Sequence, residues 1–455
     1  MNIPFISADQ SGLETERRQL QDEGRDISAT EAELESLLSA AGLPDEEEFQ
    51  DLARRFFDST ADLPLRRDYA YEEPSDLEAI LDARPPGSPE SSFALHGVHI
   101  PDKIHGALLG RCCGCLLGKP VENWRSPKMW GYLKDLDRFP LSDYFTAAIP
   151  ADLRRKYGIK DPVEFGYLPD NHFIDRVGCM REDDDTNYTV AALLILRRWG
   201  KDFTSANVGE FWLENLPLIH TCSAERIAYK NLLMMKDPPE TATFRNPYRE
   251  GIGAQIRADA YGYVSPGKPQ RAAEWAWRDA RLSHVKNGLY GAMWVAAMLA
   301  DAYSTDDPRE IIRCGLQEIP ARCRLAEGIQ KVLAWNAEGI DYREAILRIH
   351  RLWDENSPYD WGHTISNAQI VAMALLWGRM DFEKSICRAV EACFDTDCNG
   401  ATVGSIVGLC LGARSIPAKW ASPLKDRLET CIPGFQSLSI SQLARDFFTL
   451  CEEFM

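Results

Sequence analysis

Ile104-His105-Gly106-Ala107-Leu108-Leu109-Gly110-Arg111-Cys112-Cys113-Gly114-Cys115-Leu116-Leu117-Gly118 carries glycine at every fourth position, and Gly400, Gly404, Gly408 and Gly412 repeat that spacing near the other end of the chain. Glycine lowers the stability of an isolated helix by nearly ~1 kcal/mol relative to alanine, so two such stretches need a compensating gain. Stacking at i, i+4 leaves a groove without side chains, which lets two helix backbones approach more closely than leucine allows. Membrane helices use similar ridges, but Arg111 and Lys119 interrupt the first stretch and the second is too short to span a bilayer. The pattern therefore predicts a buried central helix pair.

Working outward, apolar positions recur at three- and four-residue steps in 189–199, 288–303, 365–378 and 400–412, which predicts helices throughout residues 98–455. Few stretches alternate with period two. Residues 123–180 are rich in proline, glycine and aromatics without a sustained period, and read as loops and short helices over one face. Residues 1–97 form a separate acidic extension with helix-favouring stretches at Thr30 to Ala41 and Glu46 to Phe57. A linker is expected at Ala83-Arg84-Pro85-Pro86-Gly87-Ser88-Pro89. Phe56, Phe57, Tyr69 and Tyr71 are unfavourable to leave in water, so the extension is expected to pack as two or three helices rather than form a mobile arm.

With 45% hydrophobic and 26% charged residues, the 455-residue chain has the composition of a folded protein. A formal charge of −18 repels phosphate backbones, which argues against a broad nucleic-acid or anionic-membrane surface but leaves room for a local anion pocket. Thirteen scattered cysteines, and an opening Met1-Asn2-Ile3-Pro4 that lacks a basic-then-apolar leader, predict reduced thiols in a soluble cytoplasmic protein.

Chemistry concentrates at Glu182-Asp183-Asp184-Asp185-Thr186, just before the helix expected from about Tyr188 to Trp199. One acid suffices to cap a helix; four in a row repel one another unless they are solvated or hold a cation. Hard divalent ions take such oxygen ligands, and a hydroxyl like that of Thr186 can join them. A second acidic turn, Asp395-Thr396-Asp397-Cys398-Asn399, opens the second glycine helix, and Glu122 lies at the far end of the first. Either turn alone fits a metal site or a solvated loop equally well. Together, both leading buried helices, they favour convergence on one pocket.

Gly114 to Glu122, then Asp184-Asp185-Thr186, then Asp395-Thr396-Asp397 before a small-residue helix resemble, in order and spacing, the signatures of the ADP-ribosylglycohydrolases. Gly251-Ile252-Gly253-Ala254-Gln255-Ile256-Arg257 resembles that family's glycine-rich substrate loop, so the likeness covers roughly 98–415. The resemblance implies an all-α orthogonal bundle, here with a helical N-terminal extension, around a site for two Mg²⁺ ions. It implies Asp184, Asp185, Asp395 and Asp397 as metal ligands, with Asp183 and Thr186 as further candidates, and Glu122 with Asp185 in catalysis. Gly251, Gly253, Arg257, Asp259, His284 and His363 are the expected substrate contacts. The implied activity is hydrolysis of an ADP-ribosyl or related ribosyl glycoside, on a small molecule or an ADP-ribosylated substrate; the alternatives are a small sugar or nucleoside-like glycoside, or a non-catalytic binding relative.

The chain departs from that pattern at Asp183, where Thr or Ser is usual, at Cys398, which replaces Thr or Ser, and at Cys115, commonly Asp. A neutral thiol suits Mg²⁺ poorly. Cys112-Cys113-Gly114-Cys115 looks like a metal knuckle, but on a glycine-packed helix it reads as small buried thiols. His284 and His363 have hydrogen-bonded core histidines as their plain alternative.

Overall fold

The computed structural model describes residues 3–40, 46–86, 99–161 and 169–455 of the chain. The first glycine helix, Ile100–Gly118, and the second, Thr396–Leu411, lie antiparallel at the centre. A β-carbon added at Gly106, Gly110, Gly114 or Gly118 would come within 3.0 Å of the backbone of Gly408, Gly404, Gly400 or Thr396 in turn. The glycine stripes thus face each other rung by rung. Lys103 donates to the carbonyls of Leu409 and Cys410 at 3.3 and 3.1 Å, placing a cation at the negative end of the second helix. At the opposite end Thr396 Oγ1 donates to the Gly118 carbonyl at 2.9 Å.

Helices Asn287–Asp301, Thr364–Gly378, Phe382–Glu391 and Ile440–Phe454 pack against this pair. Every residue of Asn287–Asp301 is buried, as expected of a helix that is apolar all round. Residues 123–161 form short helices, Ser126–Asp135 and Ala151–Lys156, joined by loops, in line with their lack of period. The one sheet among the described residues is a small antiparallel hairpin, Arg427–Glu429 against Ser437–Ser439. No described helix is long and apolar enough to cross a membrane.

The extension contributes helices Gln10–Asp22, Glu31–Ala40, Glu46–Thr60 and Leu77–Asp82, more than the two or three expected. The first is hard to see in sequence because its buried face mixes Leu13 and Leu20 with Thr15, Glu16 and Gln19. Leu13, Leu34, Leu37, Ala53 and Phe56 make a small core of their own. Charged seams dock this unit on the main body: Arg249 pairs with Glu16 and Glu23, both at 2.7 Å, and Arg324 pairs with Glu73 at 2.8 Å and Glu250 at 2.7 Å. Gly87 to Pro89 of the expected linker, and the expected boundary at 97/98, lie outside the described residues.

Candidate metal centre

The glycine register decides where the acids meet. Because the helices run antiparallel, the C-terminal end of the first, with Lys119 and Glu122 just beyond it, lies beside the N-terminal end of the second, with Asp395 and Asp397. Helix Asp184–Trp199 starts at the same place. Its cap is Asp183, whose carboxylate accepts from the Asp185 amide at 2.9 Å, and Gly200 closes the other end at φ +64°. Asp395 holds the corresponding position on the second glycine helix, yet its side chain makes no capping bond.

Ligand atoms of Cys115, Asp183, Asp185 and Asp397 lie within 4.8 Å of one another, and so do those of Asp395, Asp397 and Cys398. Asp397 belongs to both groups. Asp185 Oδ2, Asp395 Oδ1 and Asp397 Oδ1 are buried without a conventional hydrogen-bond donor. Two cations are embedded here. Arg111, on the first glycine helix, bridges Asp185 and Asp259, each at 2.9 Å. Lys119 Nζ lies 2.6 Å from Asp183 Oδ2, 2.9 Å from Asp397 Oδ2 and 2.9 Å from Glu122 Oε2.

The carboxyls respond to this crowding. Burial, then the charge of Asp183, drives Asp184 well above the ordinary range; burial does the same to Asp185 despite Arg111, and burial with Asp397 and Glu122 does so to Asp395. Burial and Asp397 push Glu122 up to about 7 against the pull of Lys119. At Asp183 burial is outweighed by Lys119, and the carboxyl is held below its usual value. Burial and mutual repulsion together raise carboxyls crowded in a cleft.

A pocket of about 370 Å³ opens over this cluster, with Glu122, Asp184, Asp395 and Cys398 on its lining. Gly251, Gly253 and His363 line it as well. The glycine loop is strapped to its neighbour: Ile252 N donates to the Gly362 carbonyl at 2.9 Å, and Thr364 N to that of Glu250 at 3.1 Å. At Gly253 a β-carbon would collide with the Glu225 carboxylate. His363 stacks on Trp353 and accepts from the Ile365 amide through Nδ1, while its buried Nε2 has no partner. Burial pushes this imidazole well below its usual value, so the ring is neutral.

Three expected substrate contacts lie outside the pocket lining. Arg257 is buried and pairs with Glu225 at 2.8 Å and with Asp279. Asp259 is fully buried on Arg111. His284 is buried against Ser283 Oγ at 2.8 Å. The loop explains this: Ile252–Arg257 is a tight helical turn that presents Gly251, Gly253 and Ile256 to the pocket and Arg257 to the core behind it. Thr186 Oγ1 donates to the Asp183 carbonyl at 3.1 Å, while Glu182 turns aside to Asn187 and His220. Cys112, Cys113 and Cys115 are buried thiols, with Cys115 among the acids.

Sequence reasoning missed two features. Lys119 stands three residues before Glu122, which in sequence is an ordinary surface ion-pair spacing and gives no sign of burial. The extension supplies Phe5, Ser11, Thr15 and Gln19 to the pocket wall, and no motif marks them.

This arrangement defines a helical protein with a buried carboxylate centre able to hold a metal ion. The family profile described as ADP-ribosylglycohydrolase matches residues 97–453, and the chain belongs to that family. It is similar to an uncharacterised protein of Archaeoglobus fulgidus, 23% identical over 341 residues that cover 72% of this chain and 92% of that one. Among solved structures it is similar to one titled ADP-ribosylglycohydrolase-related protein complex, with 18% identity, a TM-score of 0.47, and coverage of 78% of this chain and 99% of that one.

Proposed function

We propose that this chain is a Mg²⁺-dependent hydrolase that cleaves the glycosidic bond of an ADP-ribosyl or related ribosyl substrate. The observation that carries the reading is that Glu122, Asp184 and Asp395 line one pocket while Asp183, Asp185 and Asp397 are buried beside them, with carboxylate oxygens left unpartnered. An unpaired buried carboxylate is strongly unfavourable. Hard divalent cations satisfy such oxygens, so the donor set fits Mg²⁺, with Asp184, Asp185, Asp395 and Asp397 as the residues that would hold it. A bound divalent ion there supplies Lewis acidity toward sugar hydroxyls and water. Glu122, partly exposed at the pocket, accepts the proton of the attacking water. Gly251 and Gly253 admit the sugar close to the backbone, and Tyr248, Tyr359 and Trp361 offer aromatic faces.

A second reading keeps the chemistry and changes the substrate to a small sugar or nucleoside-like glycoside. The cavity favours it: about 370 Å³ is near the low end of the roughly 300–1,000 Å³ usual for ligand pockets, and the extension closes one wall. The test is to offer the full chain with Mg²⁺ an ADP-ribosylated protein, ADP-ribose conjugates, nucleosides and small glycosides, and to identify products by mass spectrometry. Release of ADP-ribose or ribose that stops with chelator and resumes with Mg²⁺ is expected. Turnover of small glycosides alone selects the second reading, and absence of any release leaves a binding protein.

A further inference from the structure

We infer that the Lys119 ammonium is a built-in cation of the centre, so that the site takes one divalent metal ion rather than two. The inference rests on the metal-dependent reading above and sharpens it. Lys119 is 2% exposed, and its Nζ contacts Asp183 Oδ2, Asp397 Oδ2 and Glu122 Oε2, all within 3.0 Å. Three carboxylates from three separate segments around one point are the surroundings a metal ion would have. The ammonium already fills them.

The group of Cys115, Asp183, Asp185 and Asp397 already carries Lys119 on Asp183 and Asp397 and Arg111 on Asp185, which leaves the other group for one ion. Asp397 is the bridge: its Oδ2 accepts from Lys119, while its Oδ1 is buried without a partner. Asp397 also belongs to the group with Asp395 and Cys398, and Asp395 Oδ1 is unpartnered too. Both aspartates are more than nine-tenths buried. A divalent ion held by Asp395 and the far oxygen of Asp397 thus neighbours an ammonium instead of a second ion. Two-metal centres place their ions about 3.5–4 Å apart, a spacing that only several shared anions make tolerable. A second ion at the lysine position would have to displace a buried ammonium from three carboxylates.

Cation counting on the full-length, metal-stripped protein tests this with Mn²⁺ as the probe. Calorimetric titration and elemental analysis after gel filtration are expected to give one Mn²⁺ per chain, and anomalous diffraction one peak, beside Asp395 and Asp397 and away from Nζ. Two ions in the unmodified protein would overturn the inference and leave the metal-dependent hydrolase standing. No binding at millimolar Mn²⁺ would overturn both. Lys119→Ala is expected to raise the count from one to two, and Lys119→Met, which keeps the stem volume, serves if alanine does not fold. A folded Lys119 variant that still takes a single ion would show that the lysine is not what excludes the second.

Discussion

Two buried groups of acids among the described residues, the seam under the extension and the centre under the pocket, differ in whether their oxygens have donors. In the seam under the extension, Arg249, Lys286 and Arg324 face Glu16, Glu23, Glu73 and Glu250. Gln19 and Asn287 add amide donors to the same glutamates. Burial pushes Glu16 and Glu250 up, while at Glu23 burial is outweighed by Arg249 and Lys286, which hold the carboxyl well below the ordinary range. In the centre under the pocket, Arg111 and Lys119 face seven carboxylates, those of Glu122, Asp183, Asp184, Asp185, Asp259, Asp395 and Asp397. There burial is reinforced by neighbouring acids, and Asp395 is driven up. A buried acid is therefore no sign of a ligand site by itself. What separates glue from chemistry is whether its oxygens already have donors.

The contrast is sharpest in turnover. Glu122→Gln is expected to lower the rate about 10²–10⁴-fold while leaving helical content unchanged, because it removes the proton acceptor and preserves shape. Steady-state kinetics on whichever substrate the product screen identifies checks it, and a wild-type rate would reduce Glu122 to a polar helix terminus. In the seam the effect moves to stability: Arg324→Ala strands two buried glutamates and is expected to destabilise the fold by about 3–5 kcal/mol in denaturant unfolding. Ion binding should survive in that variant as long as it folds.

Divalent ions give the next test. At a hundredfold excess over Kd, Mg²⁺ should stabilise the folded protein by about 2.7 kcal/mol, read as a rise in Tm, and Asp397→Asn should abolish the rise. In the metal-free protein the substitution removes one repelling charge but weakens a buried partner of Lys119, so the variant should keep its helical content, and loss of the fold would make the centre a second seam. Gly404→Leu attacks the frame instead, forcing a side chain into backbone contact with Gly110, and is expected to cost roughly 1–3 kcal/mol or more. An unchanged Tm would contradict the observed packing. The smallest effect belongs to Gln19→Leu, which removes one donor from Glu23 and Glu250 and should cost about 0.5–1.5 kcal/mol while altering KM, because this residue also lines the pocket.

The frame of the site was legible in sequence because it is written in local spacing. Glycine at every fourth residue announced the close helix pair, though not its direction, and the acids announced themselves by preceding buried helices. Lys119 was not legible, because its partners Asp183 and Asp397 are far along the chain and meet it only after folding. Arg257 and Asp259 misled for the converse reason: motif order places them beside a substrate loop, but a tight turn points them inward to Glu225, Asp279 and Arg111. The docking of the first extension helix escaped notice because its inward face is half polar, and a polar face satisfied by distant arginines has no hydrophobic period to detect.

Ser11, Thr15 and Gln19 project from one face of a helix that carries none of the clustered acids into the cavity those acids serve. Wall and acidic floor thus come from separate segments of the chain. Mutations in the leading helix can reshape what the cavity admits while the aspartates stay fixed, so descent with altered diet requires no change in the chemistry beneath.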